Sequence, residues 1–206
     1  MTNLGITVTA ATASQHAEFV KVLVGAFHED PGFVRVIPQP DENNDLLRAL
    51  FGLQIELQYG RDGIIDVATN EQGEIVGVAL WDAPDANHGA VDQVKLLPHL
   101  VKIFGRHTAK IMLREFFSAR MHPRFPHWYL YTIAATAQSR GTGVGSALLA
   151  HGIQRAGEEA IYLEATSTRS AQLYHRLGFV PLGYIPDNDD LPSEFAMWKP
   201  PAMPAL

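Results

Sequence analysis

The stretch "SRGTGVGSALL", residues 139–149, carries three glycines at alternate positions directly before an apolar, helix-like run. Just upstream, "WYLYTIAAT", residues 128–136, is an apolar run of the kind found in strands. Because glycine destabilises a helix by about 1 kcal/mol relative to alanine, three of them at a helix start indicate a backbone that something approaches closely. The stretch therefore predicts a ligand-binding loop between a strand and a helix.

The predicted loop combines the features of an anion-binding site. The first N–H groups of a helix have no partner within the helix, and the helix dipole makes that end positive. Glycines let the oxygens of a ligand reach these amides without a Cβ in the way. Arg140 adds a fixed positive charge beside them. Together these features predict a phosphate-binding loop.

Three phosphate-loop patterns compete for this stretch. The P-loop pattern requires Gly-Lys followed by Ser or Thr, which is absent. The dinucleotide pattern GxGxxG fits at Gly141 and Gly143 but has Ser146 in its third glycine position. Glu164, about 20 residues further on, suits it, yet too little chain follows for a second mononucleotide-binding half. The third pattern, [R/Q]xxGx[G/A], is matched by residues 140–145, and the dinucleotide reading stays open as the weaker alternative.

Composition excludes several classes of function. The chain has 206 residues, a net charge of −6 and a pI near 5.8, which argues against nucleic acid as the main partner. With no cysteine it has no disulfide and no thiol nucleophile, and without an HExxH motif we expect no metal. No apolar run reaches the ~18 residues of a membrane span, and the N-terminus does not resemble a secretory signal, so we expect a cytoplasmic protein that does not bind membranes.

Helical and strand-like patterns alternate along the chain, which predicts one α/β domain with a mixed sheet over residues 1–200 and a frayed tail over 201–206. The run 63–84 predicts a β-hairpin that turns around Asn70–Gly73. Residues 91–120, rich in Lys, Arg and His, predict two helices broken near Pro98 or Gly105. We expect these helices to form a lid over the substrate.

A second motif lies in register with the glycine loop. "LYHRLGF", residues 173–179, matches LYxxxGF on a short helix that follows the next strand. With loop and motif together, the chain resembles the GNAT (GCN5-related) N-acetyltransferases, and within that family it looks most like the puromycin N-acetyltransferases. The order of predicted elements fits the family over nearly the whole chain.

The resemblance implies a central, mostly antiparallel mixed sheet that splays between two parallel strands, 128–135 and 160–166, and is flanked by helices. It also implies acetyl-CoA as co-substrate, with its pyrophosphate on the glycine loop. The implied contacts are Ile133, Ala135, Arg140, Gly141, Thr142, Gly143, Val144, Gly145, Ser146 and Thr168. Departures from the family pattern are Ala135 and Ala137 in the strand before the loop, and Thr168 where many members have Asn.

The resemblance assigns Tyr174 as the general acid that protonates the leaving thiolate, which suits a phenol that is protonated at neutral pH. We take Glu164 as the candidate base that deprotonates the acceptor amine. Because there is no cysteine, we expect direct attack by a small-molecule amine in a ternary complex. Alternatives are a protein N-terminus or lysine as acceptor, and a non-catalytic acyl-CoA sensor; a homodimer is compatible with the sequence. The expected acceptor-pocket residues are Asp30, Phe33, Trp81, His127 and Trp128.

Overall fold

The computed structural model of the chain describes residues 5–37, 41–59, 63–86, 90–185 and 194–202. The first four residues and positions 203–206 of the expected tail lie outside this description. The strands of the described part are β1 (Thr7–Ala10), β2 (Ile64–Thr69), β3 (Ile75–Asp82), β4 (Trp128–Ala135), β5 (Ile161–Ala165), β6 (Val180–Tyr184) and β7 (Phe195–Lys199). They form a seven-stranded sheet in the order β1-β2-β3-β4-β5-β7-β6.

Helices cover both faces of this sheet. They are α1 (His16–Phe27), α2 (Pro31–Val36), α3 (Asp45–Gln54), α4 (Ala90–Phe104), α5 (Thr108–Met121), α6 (Val144–Ala156) and α7 (Thr168–Arg176). The predicted break within 91–120 falls at Gly105, which has φ +52°, whereas Pro98 lies inside α4. None of the helices in the described ranges has the length and apolar content that a membrane span requires.

The pairing pattern confirms the expected mixed, mostly antiparallel sheet. Within the described ranges, β4 and β5 are the one parallel pair, and the other neighbouring strands run antiparallel. The predicted hairpin is formed by β2 and β3. Its turn is closed by Asn70, whose side-chain oxygen accepts from the backbone N–H groups of Gln72 and Glu74, and by Gly73 at φ +80°.

The two faces of the sheet bury separate hydrophobic clusters. On one face, side chains of α1, α3, α4 and α5 pack together, with Leu23 and Phe51 fully buried. On the other face, α6 and α7 pack against β3, β4 and β5, with Leu148 and Phe179 fully buried. The sheet thus forms the middle layer of a three-layer structure.

The parallel strands β4 and β5 are paired over a short length only. Residues 128–130 pair with 161–163, and β4 then continues to Ala135 beyond that pairing. A β-bulge begins the separation: Leu130 pairs with Trp81 and Thr132 pairs with Leu80, so Tyr131 is an extra residue in β4. The later part of β4 therefore leaves a gap beside β5.

Trp81 fixes the distance between the sheet and α6. Its side chain is fully buried, and Gly152 of α6 lies directly against the indole ring. A Cβ placed on Gly152 would lie 2.1 Å from Cζ2 of that ring. Since Trp81 fills this interface, it belongs to the core beneath α6, which corrects its expected place in the acceptor pocket.

We expect Gly152→Ala to lower the free energy of unfolding by about 1–3 kcal/mol, because the added methyl group forces the helix away from a rigid ring. Gly25→Ala is the matched control: Gly25 lies in α1, is exposed, and has nothing within 4 Å of an added Cβ. That change should raise the free energy of unfolding by about 0.5–1 kcal/mol through helix propensity. Urea unfolding measures both, and equal effects of the two variants would contradict the role given to Trp81.

Candidate active site

The glycine loop adopts the backbone conformation that its sequence indicates. Gly141 has φ +84° and Gly143 has φ +97°, values that side-chain-bearing residues rarely adopt. Gly143 is the N-cap of α6, so the unpaired N–H groups of the first helical turn follow directly after it. An added Cβ at Gly141 would meet no atom within 4 Å, so the backbone conformation is what requires glycine there.

A groove of about 580 Å³ runs along this loop and reaches the end of β4 and one face of α7. Most of the predicted acetyl-CoA contacts lie on it, namely Ile133, Ala135, Arg140, Gly141, Gly143, Val144, Gly145 and Ser146. The structure thus brings together residues that the motif places in one loop and residues of the preceding strand.

Two predicted contacts lie elsewhere. Thr142 is exposed, and its hydroxyl donates to the carbonyl oxygen of Ser139 at 2.8 Å. Thr168 is the exposed first residue of α7, and neither threonine lines the groove. Ser167 and Ser170 line the groove instead. They form the capping box at the start of α7, in which the hydroxyl of each serine accepts from the backbone N–H of the other.

Arginines that the sequence analysis passed over also line the groove. Arg169 and Arg176 are seven residues apart on α7, so they share one face of that helix. With Arg140, whose Nη2 donates to the carbonyl oxygen of Ala26 at 3.3 Å, they give the groove three guanidinium groups. The helical spacing was a signal available in the sequence, and it makes the groove suited to a ligand with several phosphates.

A smaller cavity of about 150 Å³ adjoins the groove, and Ile133, Ser170 and Tyr174 line both. Its walls are mainly apolar and aromatic, and they include the following residues: Phe27, Phe33, Leu50, Ile111, Tyr129, Leu130 and Tyr131. The rings of Phe27 and Phe33 have centroids 4.9 Å apart. Phe33 therefore belongs to the aromatic wall of this cavity.

The bulge in β4 shapes this cavity. Tyr131 packs with the α1 and α3 cluster, as does Ala134, whereas Ile133 and Ala135 pack with the α6 cluster together with Leu130. The extra residue has thus changed which residues of β4 face each side. As a result Ile133 lies at the junction of groove and cavity.

Tyr174 is buried at the same junction, with 5% of its surface exposed. Burial, and next the charge of Asp30, raise the pKa of Tyr174 above the usual value for a phenol. The hydroxyl is consequently protonated at neutral pH and can donate a proton to a group in either cavity.

Asp30 lines the groove and does not line the smaller cavity, which corrects its expected place in the acceptor pocket. It is the N-cap of α2: its Oδ1 accepts from the N–H of Gly32 at 2.9 Å, and its Oδ2 accepts from the hydroxyl of Thr166 at 3.0 Å. These bonds hold the negative charge of Asp30 near Tyr174, and that charge contributes to the raised pKa of the phenol.

Glu164 lines the smaller cavity, and its side chain is 6% exposed. Its Oε1 accepts from the hydroxyl of Ser118 at 2.5 Å and from that of Tyr162 at 3.1 Å, while its Oε2 lies 3.7 Å from Nη2 of Arg114. Burial raises the pKa of Glu164, and Arg114 and Ser118 oppose that rise. A carboxylate with a raised pKa is a stronger base than an exposed carboxylate with the ordinary pKa.

Arg114 on α5 contacts three carboxylates. Its Nη2 donates to Oε2 of Glu194 at 2.6 Å, its Nη1 donates to Oε1 of Glu115 at 3.1 Å, and Glu164 lies at the longer distance given above. Arg114 and Ser118 are four residues apart, so helical spacing could have placed both on one face of α5. Glu194 is 80 residues away in the chain, and nothing in the sequence indicated its contact.

The other predicted pocket residues do not line this cavity. His127 lines another cavity, of about 590 Å³, which adjoins the smaller one through Glu115, Tyr129 and Tyr131. There its Nδ1 donates to the carbonyl oxygen of Phe125 at 2.7 Å. Trp128 packs on the α6 face, and its Nε1 donates to Oε2 of Glu159 at 2.5 Å. The even positions of β4 before the bulge face α6, so Trp128 points away from the acceptor side.

Taken together, a buried phenol and a buried carboxylate face one small cavity that opens beside a loop suited to phosphates. Such a pair can remove a proton from a nucleophile and give one to a leaving group. Within the described ranges, no group of three or more His, Asp or Glu side chains could hold a metal ion.

The chain matches the family model described as Acetyltransferase (GNAT) family over residues 35–179. It is 59% identical to a crystallised protein of Corynebacterium glutamicum described as histone acetyltransferase HPA2 and related acetyltransferase, with a TM-score of 0.83; the match covers 98% of this chain and 99% of that one.

More distant structures share the fold. Arylalkylamine N-acetyltransferase 2 of Aedes aegypti is 17% identical, with a TM-score of 0.71 over 94% of this chain and 98% of that one. A GCN5-related N-acetyltransferase of Kribbella flavida is 18% identical, with a TM-score of 0.55 over 95% and 98% of the two chains. On the strength of the family model and the 59% identical relative, this chain belongs to the GNAT acetyltransferase family and is an acyltransferase.

Proposed function

We propose that the protein is an N-acetyltransferase that moves an acetyl group from acetyl-CoA to the primary amine of a small molecule, by direct attack in a ternary complex. The observation that carries the proposal is that Tyr174 and Glu164 line one cavity, which adjoins the groove along the glycine loop.

The groove fits acetyl-CoA, the co-substrate of this family. Glycines at positive φ leave the N-terminus of α6 open to phosphate oxygens, and three arginines surround it. The end of β4 beyond its pairing with β5 offers backbone groups to an extended pantetheine arm, near Ile133 and Ala135. When bound there, acetyl-CoA supplies an acetyl group activated as a thioester.

The side chains divide the proton transfers between them. Glu164 takes a proton from the ammonium group of the acceptor, directly or through water, and the free amine then forms the new C–N bond at the acetyl carbon. A backbone N–H near Ile133 donates to the acetyl oxygen as negative charge develops there. Tyr174 gives its hydroxyl proton to the sulfur as the C–S bond breaks, and the second proton that the nitrogen loses on forming the amide restores the Tyr174 hydroxyl.

The cavity favours a small, cationic acceptor with an apolar body. At about 150 Å³ it is lined largely by aromatic and aliphatic side chains, and α5 lies over it through Ile111, Arg114 and Glu115. Three carboxylates share the single guanidinium of Arg114, so the surroundings carry net negative charge, which attracts an ammonium group.

Relatives are compatible with more than one acceptor. The Aedes aegypti protein is named for arylalkylamines, but at 17% identity it supports the fold alone. The 59% identical relative is described as a histone acetyltransferase and related acetyltransferase, which keeps a protein lysine as the second candidate. We also propose that the protein is most similar to the puromycin N-acetyltransferases. In the same proposal, residues 1–200 form a single domain and residues 91–120 form a lid over the acceptor. Cytoplasmic location and a homodimer stay predictions.

We expect Gly143→Trp to weaken acetyl-CoA binding at least tenfold, because the indole would fill the groove at the helix N-terminus and strain a backbone at φ +97°. Gly157→Trp is the matched control, since Gly157 also has positive φ but lies at the other end of α6 with open space around it. Isothermal titration calorimetry measures both. Equal affinities in the two variants would place the ligand elsewhere, and NAD(P) would then be titrated.

We expect Tyr174→Phe to lower kcat about a hundredfold with acetyl-CoA affinity kept, because the variant loses the proton donor but not the ring. Tyr184→Phe, which changes a phenol on β6 that is 65% exposed, should leave kcat unchanged. The assay follows free CoA thiol with a panel of small primary amines and a lysine-containing peptide. Binding of acetyl-CoA without turnover of any acceptor would favour the acyl-CoA sensor.

A further inference from the structure

Glu194 forms the tightest contact of the carboxylates around Arg114, yet it does not line the cavity. Its side chain is 4% exposed. Its Oε2 accepts from Arg114 at 2.6 Å, whereas its Oε1 has no hydrogen-bond partner among the described residues. Leaving one oxygen of a buried carboxylate without a hydrogen bond costs folding free energy, although the other oxygen is paired with Arg114.

The geometry shows what this carboxylate does to Arg114. Nη2 of Arg114 is within hydrogen-bond distance of Glu194, and the same atom is 3.7 Å from Oε2 of Glu164, which is too far for a hydrogen bond. The guanidinium is therefore drawn to one buried carboxylate and kept short of the other. Oε1 of Glu164 is already occupied by Ser118 and Tyr162, so Oε2 is the oxygen left to receive a proton.

We propose that Glu194 is a positioning residue: it holds Arg114 off Glu164, so that Glu164 keeps one oxygen free to accept the proton of the acceptor amine. The proposal rests on the acetyltransferase function proposed above. Without Glu194, Arg114 would be free to close the gap to Glu164 and form a charge-assisted hydrogen bond with the base.

Several groups face Glu164, and their effects set the sign of the expected change. These groups are Arg114, Glu115 and Ser118 of α5, Tyr162 of β5, Tyr129 of β4, and Glu194, which precedes β7. Removing the charge of Glu194 lowers the pKa of Glu164 in two ways: a nearby negative charge is lost, and Arg114 can approach. A base of lower pKa binds a proton less strongly. In a plot of kcat against pH, the rise on the acid side therefore moves to lower pH, and the maximal kcat at higher pH falls.

Glu194→Gln tests this with little change of shape: the amide oxygen can still accept from Arg114, but without the negative charge it holds the guanidinium less strongly against the attraction of Glu164. We expect the pKa of Glu164 to fall by about one pH unit, and the plateau of kcat to fall about three- to tenfold. The pKa is followed by the side-chain carboxyl NMR shift of isotopically labelled protein, assigned with Glu164→Gln. The pH profile of kcat at saturating amine gives the second measurement.

Two further variants make the test specific. Ser118→Ala removes a donor to Oε1 of Glu164, so it should move the same titration to higher pH, opposite to Glu194→Gln. Glu158→Gln removes a carboxylate that is exposed at the end of α6, and it should change neither the titration nor kcat.

If Glu194→Gln does not fold, Gly32→Ala takes its place. A Cβ on Gly32 would lie 2.7 Å from Oε1 of Glu194, so the variant displaces the carboxylate without removing its charge. A smaller shift in the same direction is then expected.

Each outcome decides the proposal. Opposite shifts in the Glu194 and Ser118 variants, with lower kcat in the former, support it. A folded Glu194→Gln protein with an unshifted carboxyl titration overturns it, and so does a shifted titration with unchanged kcat. If no acceptor is turned over by the wild type, the proposed function fails, and with it the positioning role of Glu194 in catalysis, whatever the carboxyl titration shows. The acetyl-CoA affinity of each variant, measured separately, should equal that of the wild type.

Discussion

β4 and β5 pair in parallel over residues 128–130 and 161–163 and then part, and the candidate active site depends on that separation. The bulge at Tyr131 interrupts the ladder on the other side of β4 and changes which residues face the helices beyond it. Ile133 consequently lies between the groove and the smaller cavity, at the place where Tyr174 of α7 also lies. A continuous parallel sheet would have filled this space with paired backbone.

Burial governs the chemistry of the residues around the gap. Tyr174 and Glu164 are both removed from water, which raises both pKa values, so the phenol keeps its proton and the carboxyl group binds one more readily. Neighbouring groups then adjust each: Asp30 acts on the phenol, while Ser118 and Arg114 act on the carboxylate. One guanidinium shared by three carboxylates leaves the site net negative, which suits the cationic amine proposed as acceptor.

Features that depend on residues close together in the chain were predictable from the sequence. The glycine loop, the hairpin at Asn70–Gly73, the break at Gly105 and the helix that bears Tyr174 all follow from turn chemistry, backbone freedom or periodicity within a short stretch. The two tryptophans were misplaced for a physical reason. An aromatic residue near a predicted pocket looks the same in the sequence whichever face of the strand it occupies, and Trp81 and Trp128 both face α6.

By itself, the sequence determined the family, the mixed sheet, the glycine loop and the two residues, Tyr174 and Glu164, that face one cavity. Only the tertiary structure decided their surroundings. Arg114 meets Glu194, which is 80 residues further along the chain, and Asp30 meets Thr166, which is 136 residues away. Such contacts arise when separate elements pack together, and no local pattern encodes them, because each partner is an ordinary polar residue of its own helix, strand or loop.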